Sequence, residues 1–295
     1  MTDLPPHRPV VVGVDASDAA LRAVRFAADE AIRRAVPLHV VHATSWPFGG
    51  LASPPPEEEM AELVRSAAEQ VIRTAVEAAT AGGSLEVTAS VLDGAPVPVL
   101  QEASADASLL VVGSRGAGGV AGLLVGSTAT GVVHHAQCPV VVLPDPTAAA
   151  VQGRRSVVVG VEGRPGEEDL LAFAFDEAVL RGTDLVAVHA WREVAGEVAD
   201  PALSPLVDWA GVLSDEQRAL SEALAGWREK APDVVVREVV VRDRPVRPLL
   251  GVGLTAELLV VGHRGRHWLS PTTHAVLHRA PCPLAIVPLR PAGAR

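Results

Sequence analysis

Tyrosine is missing from the chain altogether, and aromatic residues of all kinds make up only 3% of its 295 residues. A stacking platform for single-stranded nucleic acid needs several exposed rings, so that class is excluded at the outset. Lysine is almost missing too: Lys230 stands alone among 25 basic residues. No Gly-x-x-x-x-Gly-Lys run occurs, which removes the P-loop mode of phosphate binding. Two cysteines are too few for a disulfide framework or a cysteine-rich zinc site. No run of about 18 apolar residues marks a membrane span. Positive charge is in deficit, with 25 basic against 35 acidic residues and a net charge of −10. Neither nucleic acid nor an anionic membrane is therefore expected as a partner. The opening MTDLPPHRP lacks the charged-then-apolar pattern of a secretory signal, so a soluble, cytoplasmic protein is expected.

What the chain does have is itself twice. VVVGVD at residues 10–15 returns as VVVGVE at 157–162, and LHVVHA at 38–43 returns as LVAVHA at 185–190, both at an offset of 147. LLVVG at 109–113 returns at 258–262, an offset of 149, while Cys138-Pro139 returns as Cys282-Pro283, an offset of 144. The second copy has thus lost five residues between those two landmarks. The small-residue and proline-rich stretch 144–155 separates the copies, giving domains at 1–147 and 153–295. Acidity is uneven: residues 1–150 hold 8 arginines and 16 acids, the remainder 17 basic residues and 19 acids.

In each copy short apolar runs alternate with amphipathic stretches. The first copy predicts strands at 9–14, 37–43, 85–92, 109–113 and 140–143, with helices at 18–34, 57–79, 97–104 and 127–136. Asp18 is placed to cap the first helix, and three glutamates open the second. Wholly apolar strands are buried on both faces, and alternation with helices implies right-handed crossovers. The expected fold is α/β, two tandem doubly wound five-stranded parallel sheets. Ligands of such sheets bind beyond the carboxyl ends of the strands, where strand order reverses.

The segment after the fourth strand is the most informative. VVGSRGAGGVAGLLVGSTATG, residues 111–131, carries Gly113, Gly116, Gly118, Gly119, Gly122 and then Gly126-Ser127-Thr128 at a helix start. Residues without Cβ let backbone amides point at an anion, and a helix N-terminus adds unpaired amides. The same composition also suits an ordinary glycine-rich connection with a serine cap, and the physics alone divides evenly between the two.

The spacing Gly113-x2-Gly116-x9-Gly126-Ser127 resembles the G-x2-G-x9-G-[ST] signature of ATP-binding universal stress proteins. The resemblance spans the whole chain, since each half shows the VGVD-type start, the HA ending strand two, the VVG strand and the final Cys-Pro. The tandem form is similar to two-domain members from actinobacteria. The resemblance implies the adenine nucleotide alpha hydrolase-like fold and ATP, with Mg2+, bound in the first domain. Gly13 and Asp15 would then end strand one, with Asp15 toward the ribose, although a turn-forming role fits Asp15 as well. Ala43 would offer its backbone to adenine. Gly116, Gly126, Ser127 and Thr128 would hold the phosphates within the loop that includes Gly118 and Gly119. Arg115 either reaches a phosphate or is a solvated surface arginine.

The second copy departs from this pattern. Its loop VVGHRGRHWLSPTTHAVLHRA keeps Gly262 and Gly265, but the deletion sets Ser270 and Pro271 against Gly126 and Ser127. Proline has no amide to donate. Glu162 replaces Asp15 and Arg164 replaces Ser17. The second domain is expected to bind ATP weakly or not at all; its His263, Arg264, Arg266 and His267 read as a solvated basic loop before an alternative anion site. His274 and His278 have i, i+4 metal spacing but lack a third ligand, and Cys138 and Cys282 read as small core residues. Three functions are open: a nucleotide-dependent regulatory protein with protein partners and homodimers, a slow ATPase, or a nucleotide-free interaction module. No SGG-x-D-S motif ends strand one, where the chain reads VGVDAS, which weighs against ATP pyrophosphatases.

Overall fold

A computed structural model describes residues 8–44, 57–116, 125–145, 156–191, 208–264 and 269–289. These fall into two compact units, residues 8–145 and 156–289.

The first unit runs β1 (Val10–Val14), α1 (Asp18–Arg34), β2 (Leu38–Thr44), α2 (Glu57–Thr80), β3 (Val87–Asp93), α3 (Pro96–Ser104), β4 (Leu109–Gly113), α4 (Ser127–His135) and β5 (Val140–Leu143). Its strands are all parallel, in the order β3-β2-β1-β4-β5. The central valines and leucines, Val10, Val12, Leu38, Val40, Leu110 and Val111 among them, are fully buried. Each such side chain contributes about 1.5–3 kcal/mol of burial.

α1 shows how the sequence sets an element. Ala19, Ala23, Ala27 and Ala31 recur every fourth residue and are buried, so the helix lies close on the sheet. Its cap is Ser17 rather than the expected Asp18: the Ser17 hydroxyl accepts the Ala20 amide at 3.1 Å, and Asp18 stands in the first turn. A hydroxyl one residue earlier reaches the turn's amides, whereas Asp18 is already helical. The helix ends at Ala35 in the left-handed conformation, φ 53°, a position that favours glycine. The second unit has glycine there, Gly182 at φ 61°.

The second unit repeats the order with β6 (Ser156–Gly160), α5 (Glu168–Arg181), β7 (Asp184–Trp191), α6 (Trp209–Lys230), β8 (Val236–Arg242), α7 (Val246–Gly253), β9 (Ala256–Arg264), α8 (Pro271–Arg279) and β10 (Leu284–Leu289). Its parallel order is β8-β7-β6-β9-β10. Both units bury one acid in the last turns of their first helix. Glu30 pairs with Arg34 and, at 3.0 Å, with Arg33; Glu177 pairs with Arg181. Trp227 stacks on Phe175 with ring centroids 6.1 Å apart.

Candidate functional site

In the first unit the chain leaves β1 toward β2 on one side and enters β5 from β4 on the other, so the switch point lies between β1 and β4. The register pairs Val12 with Val111, which brings the chain out of the sheet at Asp15 and at Ser114 as neighbours. Val14 pairs with His42 on the other flank, setting Ala43 beside the Asp15 turn. His42 Nδ1 donates to the Val14 carbonyl at 2.8 Å and ties the two strand ends together.

Asp15 is half-buried and held in place. Its Oδ1 accepts the Ser17 amide at 3.0 Å and the Ser17 hydroxyl at 2.5 Å. Ser17 thus links the carboxylate to the N-terminus of α1. The other oxygen, Oδ2, occupies the space that a Cβ on residue 116 would need, so Gly116 is required for this arrangement. Gly126 donates its amide to the Ser114 carbonyl at 2.6 Å, which pins the start of α4 to the end of β4. Among the described residues a Cβ at Gly126 would meet nothing nearer than the Ser114 carbonyl oxygen at 3.4 Å, an ordinary contact. Among the described residues no side chain caps α4; its first amides, at Ser127 and Thr128, have no intrahelical acceptor. Ser127 is exposed and Thr128 half-buried.

Other candidates are placed differently. A Cβ at Gly13 would strike Leu100 Cδ1 at 2.7 Å, and one at Gly113 would press on the Ala19 backbone at 3.1 Å. Both glycines therefore let helices approach the sheet. Arg115 pairs with Asp145, which also takes Arg22 at 2.7 Å. Gly118 and Gly119 lie outside the described residues, as do Gly265, Arg266 and His267. Two participants were not singled out from sequence, Asp145 and Ser114, and Ser17 entered only as the residue that Arg164 replaces. Ser114 is 3% exposed, and its hydroxyl has no hydrogen-bond partner among the described residues. Its adjacency to the Gly113 strand end was its only sequence signal.

In the second unit a cleft of about 600 Å3 opens at the equivalent switch point, between β6 and β9. Glu162, Arg164, Glu167, His189, Glu216 and Arg264 are among its walls. His189 Nδ1 faces the Val161 carbonyl at 2.8 Å, as His42 faces Val14, and its Nε2 meets Glu216 at 3.0 Å. Glu167 is buried and accepts three successive amides: Glu162 and Gly163 at 2.9 Å and Arg164 at 3.2 Å. Burial pushes its carboxyl above the usual range, outweighing those donors. α8 closes its own N-terminus: Ser270 Oγ accepts the Thr273 amide at 3.0 Å, and Pro271 follows. The two helix starts, Ser127 and Pro271, fall at the 144-residue offset read from the sequence.

Cys138 and Cys282 are buried thiols, and burial pushes Cys138 up to about 12. The rings of His274 and His278 lie 4.5 Å apart, and burial, then His274, hold His278 below the ordinary histidine value. Among the described residues no cluster of three metal-ligating side chains occurs, and no helix is long and apolar enough to cross a membrane.

The universal stress protein family matches residues 6–144 and 153–288. Universal stress protein Rv1996 of Mycobacterium tuberculosis is 37% identical over 308 residues, covering 96% of this chain and 96% of its own. A solved universal stress protein from Archaeoglobus fulgidus DSM 4304 shares the fold, with a TM-score of 0.70 at 19% identity over 95% of this chain and 98% of its own. A shorter universal stress protein from Archaeoglobus fulgidus was solved in complex with dAMP; it is 32% identical, covers 46% of this chain and 97% of its own, and has a TM-score of 0.35. That ligand belongs to that protein.

Proposed function

The chain belongs to the universal stress protein family, and from that premise we propose that its first unit binds ATP with Mg2+ in the crevice between β1 and β4. The observation that carries this reading is the meeting of Asp15, Gly116 and the uncapped start of α4 at the switch point. A Cβ at Gly126 would make only ordinary contacts with the described residues, which supports reading the space beside the helix amides as room for a ligand. Asp15, already oriented by Ser17, accepts ribose hydroxyl bonds; Ala43 presents backbone to the base. Gly116, Gly126, Ser127 and Thr128 surround the phosphates, with Gly118 and Gly119 assigned there from the sequence alone. Gly13 and Gly113 deliver the strand ends. Arg115 stays with Asp145 and contributes little. Mg2+ would neutralise phosphate charge, which suits a chain of net charge −10.

The second unit is proposed to reject the triphosphate, since Ser270 and Pro271 take up the amides that α4 leaves open. ATP then acts as a regulatory ligand: it stabilises one state of the first unit, and homodimer contacts or partner proteins in the cytoplasm read that state. Mass spectrometry of freshly purified, denatured protein and calorimetry with ATP and Mg2+ test the proposal. About one equivalent of ATP per chain is expected, lost in Gly116→Glu and Gly126→Glu. No heat, or binding that survives both substitutions, overturns it. Sustained ADP release abolished by Asp15→Ala would make the protein an ATPase instead.

A further inference from the structure

The cleft of the second unit has room for a small molecule and an anion-binding corner at its floor, yet that corner is taken. After β6 the chain turns three successive amides onto one carboxylate, Glu162 to Oε1 and Gly163 and Arg164 to Oε2 of Glu167, with Gly163 at φ +71°. Successive amides arranged in this way form a concave nest that suits a carboxylate or phosphate oxygen. The guanidinium of Arg264, reaching across from the end of β9, comes within 3.7 Å of the same point. What fills the nest is a side chain of the same unit, Glu167, only 6% exposed.

Among its described residues the first unit has no such tethered glutamate. At the 147-residue offset Glu167 stands opposite Ala20, and Arg164 opposite Ser17. α1 runs on unbroken from Asp18, whereas α5 begins only at Glu168, which stands opposite Leu21. The missing turn is Pro165-Gly166, with Gly166 at φ +89°, and it is this detour that swings the Glu167 carboxylate back under the strand end. Glu167 does not cap its own helix, for α5 has no side-chain cap bond. Its carboxylate is spent on the nest.

We propose that the second unit holds an oxyanion site in its cleft, and that Glu167 fills it as a tethered ligand in place of a free phosphate or carboxylate group. Glu167 then decides specificity: its charge and volume exclude anions from this cleft, and its removal opens the site to them. This stands apart from ATP binding in the first unit, because its readouts are residues of the second.

Glu167→Ser empties the nest while leaving a good capping residue at the start of α5; Glu167→Ala empties it without one. Full-length wild-type and variant chains are titrated with inorganic phosphate against chloride at matched ionic strength. Backbone amide NMR follows residues 162–164, and thermal melting follows stability. In the serine variant those three amides shift saturably with phosphate, and the Tm rises by about 3–6 °C more than in the wild type. Phosphate stabilises proteins generally, so the difference between the two chains is the reading. A parallel ATP titration separates the sources: shifts with ATP as well mean that the opened cleft admits a whole nucleotide, and shifts with phosphate alone mean a small oxyanion only. Absence of shifts in both folded variants, or equal shifts in the wild type, overturns the proposal. So does failure of both variants to fold at any phosphate concentration, since a site with an exchangeable anion is rescued by one.

Discussion

Replacing Gly116 with alanine adds a single methyl group, and the structure says where it goes. Gly116 does not have a positive φ, so its backbone accepts alanine without strain. The new Cβ lands on Asp15 Oδ2, the far end of a half-buried side chain that can rotate away. Rotation breaks the two bonds to Ser17, of 3.0 and 2.5 Å. Water reaches Asp15 and takes over part of that loss, so folding stability drops by no more than about 1–2 kcal/mol. Nucleotide affinity falls further. If Asp15 accepts ribose hydroxyls, a displaced carboxylate costs about 1.5–3 kcal/mol, or roughly 10- to 150-fold in Kd. Calorimetry with ATP and Mg2+ on Gly116→Ala, Asp15→Ala and the double variant measures this, with thermal melts run alongside. Because both single changes remove the same contact, the double variant binds within about threefold of Asp15→Ala alone. Wild-type affinity in Gly116→Ala, or fully additive losses in the double variant, would refute the idea that Gly116 acts through Asp15.

Four further outcomes are expected. Ala35→Gly relieves a left-handed alanine and raises stability by about 1 kcal/mol, seen as a higher urea midpoint; no gain would mean the αL end of α1 carries no strain. Glu30→Ala removes the buried carboxylate that Arg34 pairs with and costs about 3–5 kcal/mol, a loss that melting curves resolve. His278 is held below its ordinary value of 6.5, so the unfolded chain takes up that proton first. Its contribution to stability is present above 6.5 and lost as pH falls through the depressed folded value, and in urea melts at several pH values His278→Gln loses less on acidification than the wild type. With Cys138 pushed up to about 12 and both thiols buried, a thiol reagent at pH 8 labels neither cysteine in the native chain and both in guanidinium.

The element order was readable because it rests on periodicity. The apolar runs at 109–113 and 140–143 became β4 and β5 without a shift in their ends, and the amphipathic stretch 18–34 became α1. Errors came where two adjacent residues compete for one role. Ser17 and Asp18 both suit a helix cap, and only the path of the chain out of β1 decides that Ser17 takes it. The glycines show a second limit. Gly13, Gly113, Gly116 and Gly126 look alike in a motif, yet the first two make room for Leu100 and Ala19, the third for a carboxylate, and the fourth is crowded by no described residue closer than 3.4 Å. The partner of Arg115 lies 30 residues further on, at Asp145, and no spacing announces it.

By itself the sequence determined that two copies of a doubly wound parallel fold lie in one chain, and where in each copy the strand order reverses. Those are properties of repeated apolar patterns, and hydrophobic burial is non-directional enough to be read one dimension at a time. The tertiary structure alone decided that one oxygen of Asp15 is tied to Ser17 while the other lies against Gly116, that among the described residues α8 has a side-chain cap and α4 has none, and that Glu167 lies in a nest of amides. Hydrogen bonds act over about 3 Å and within narrow angles, so their partners exist only once distant segments have been brought face to face.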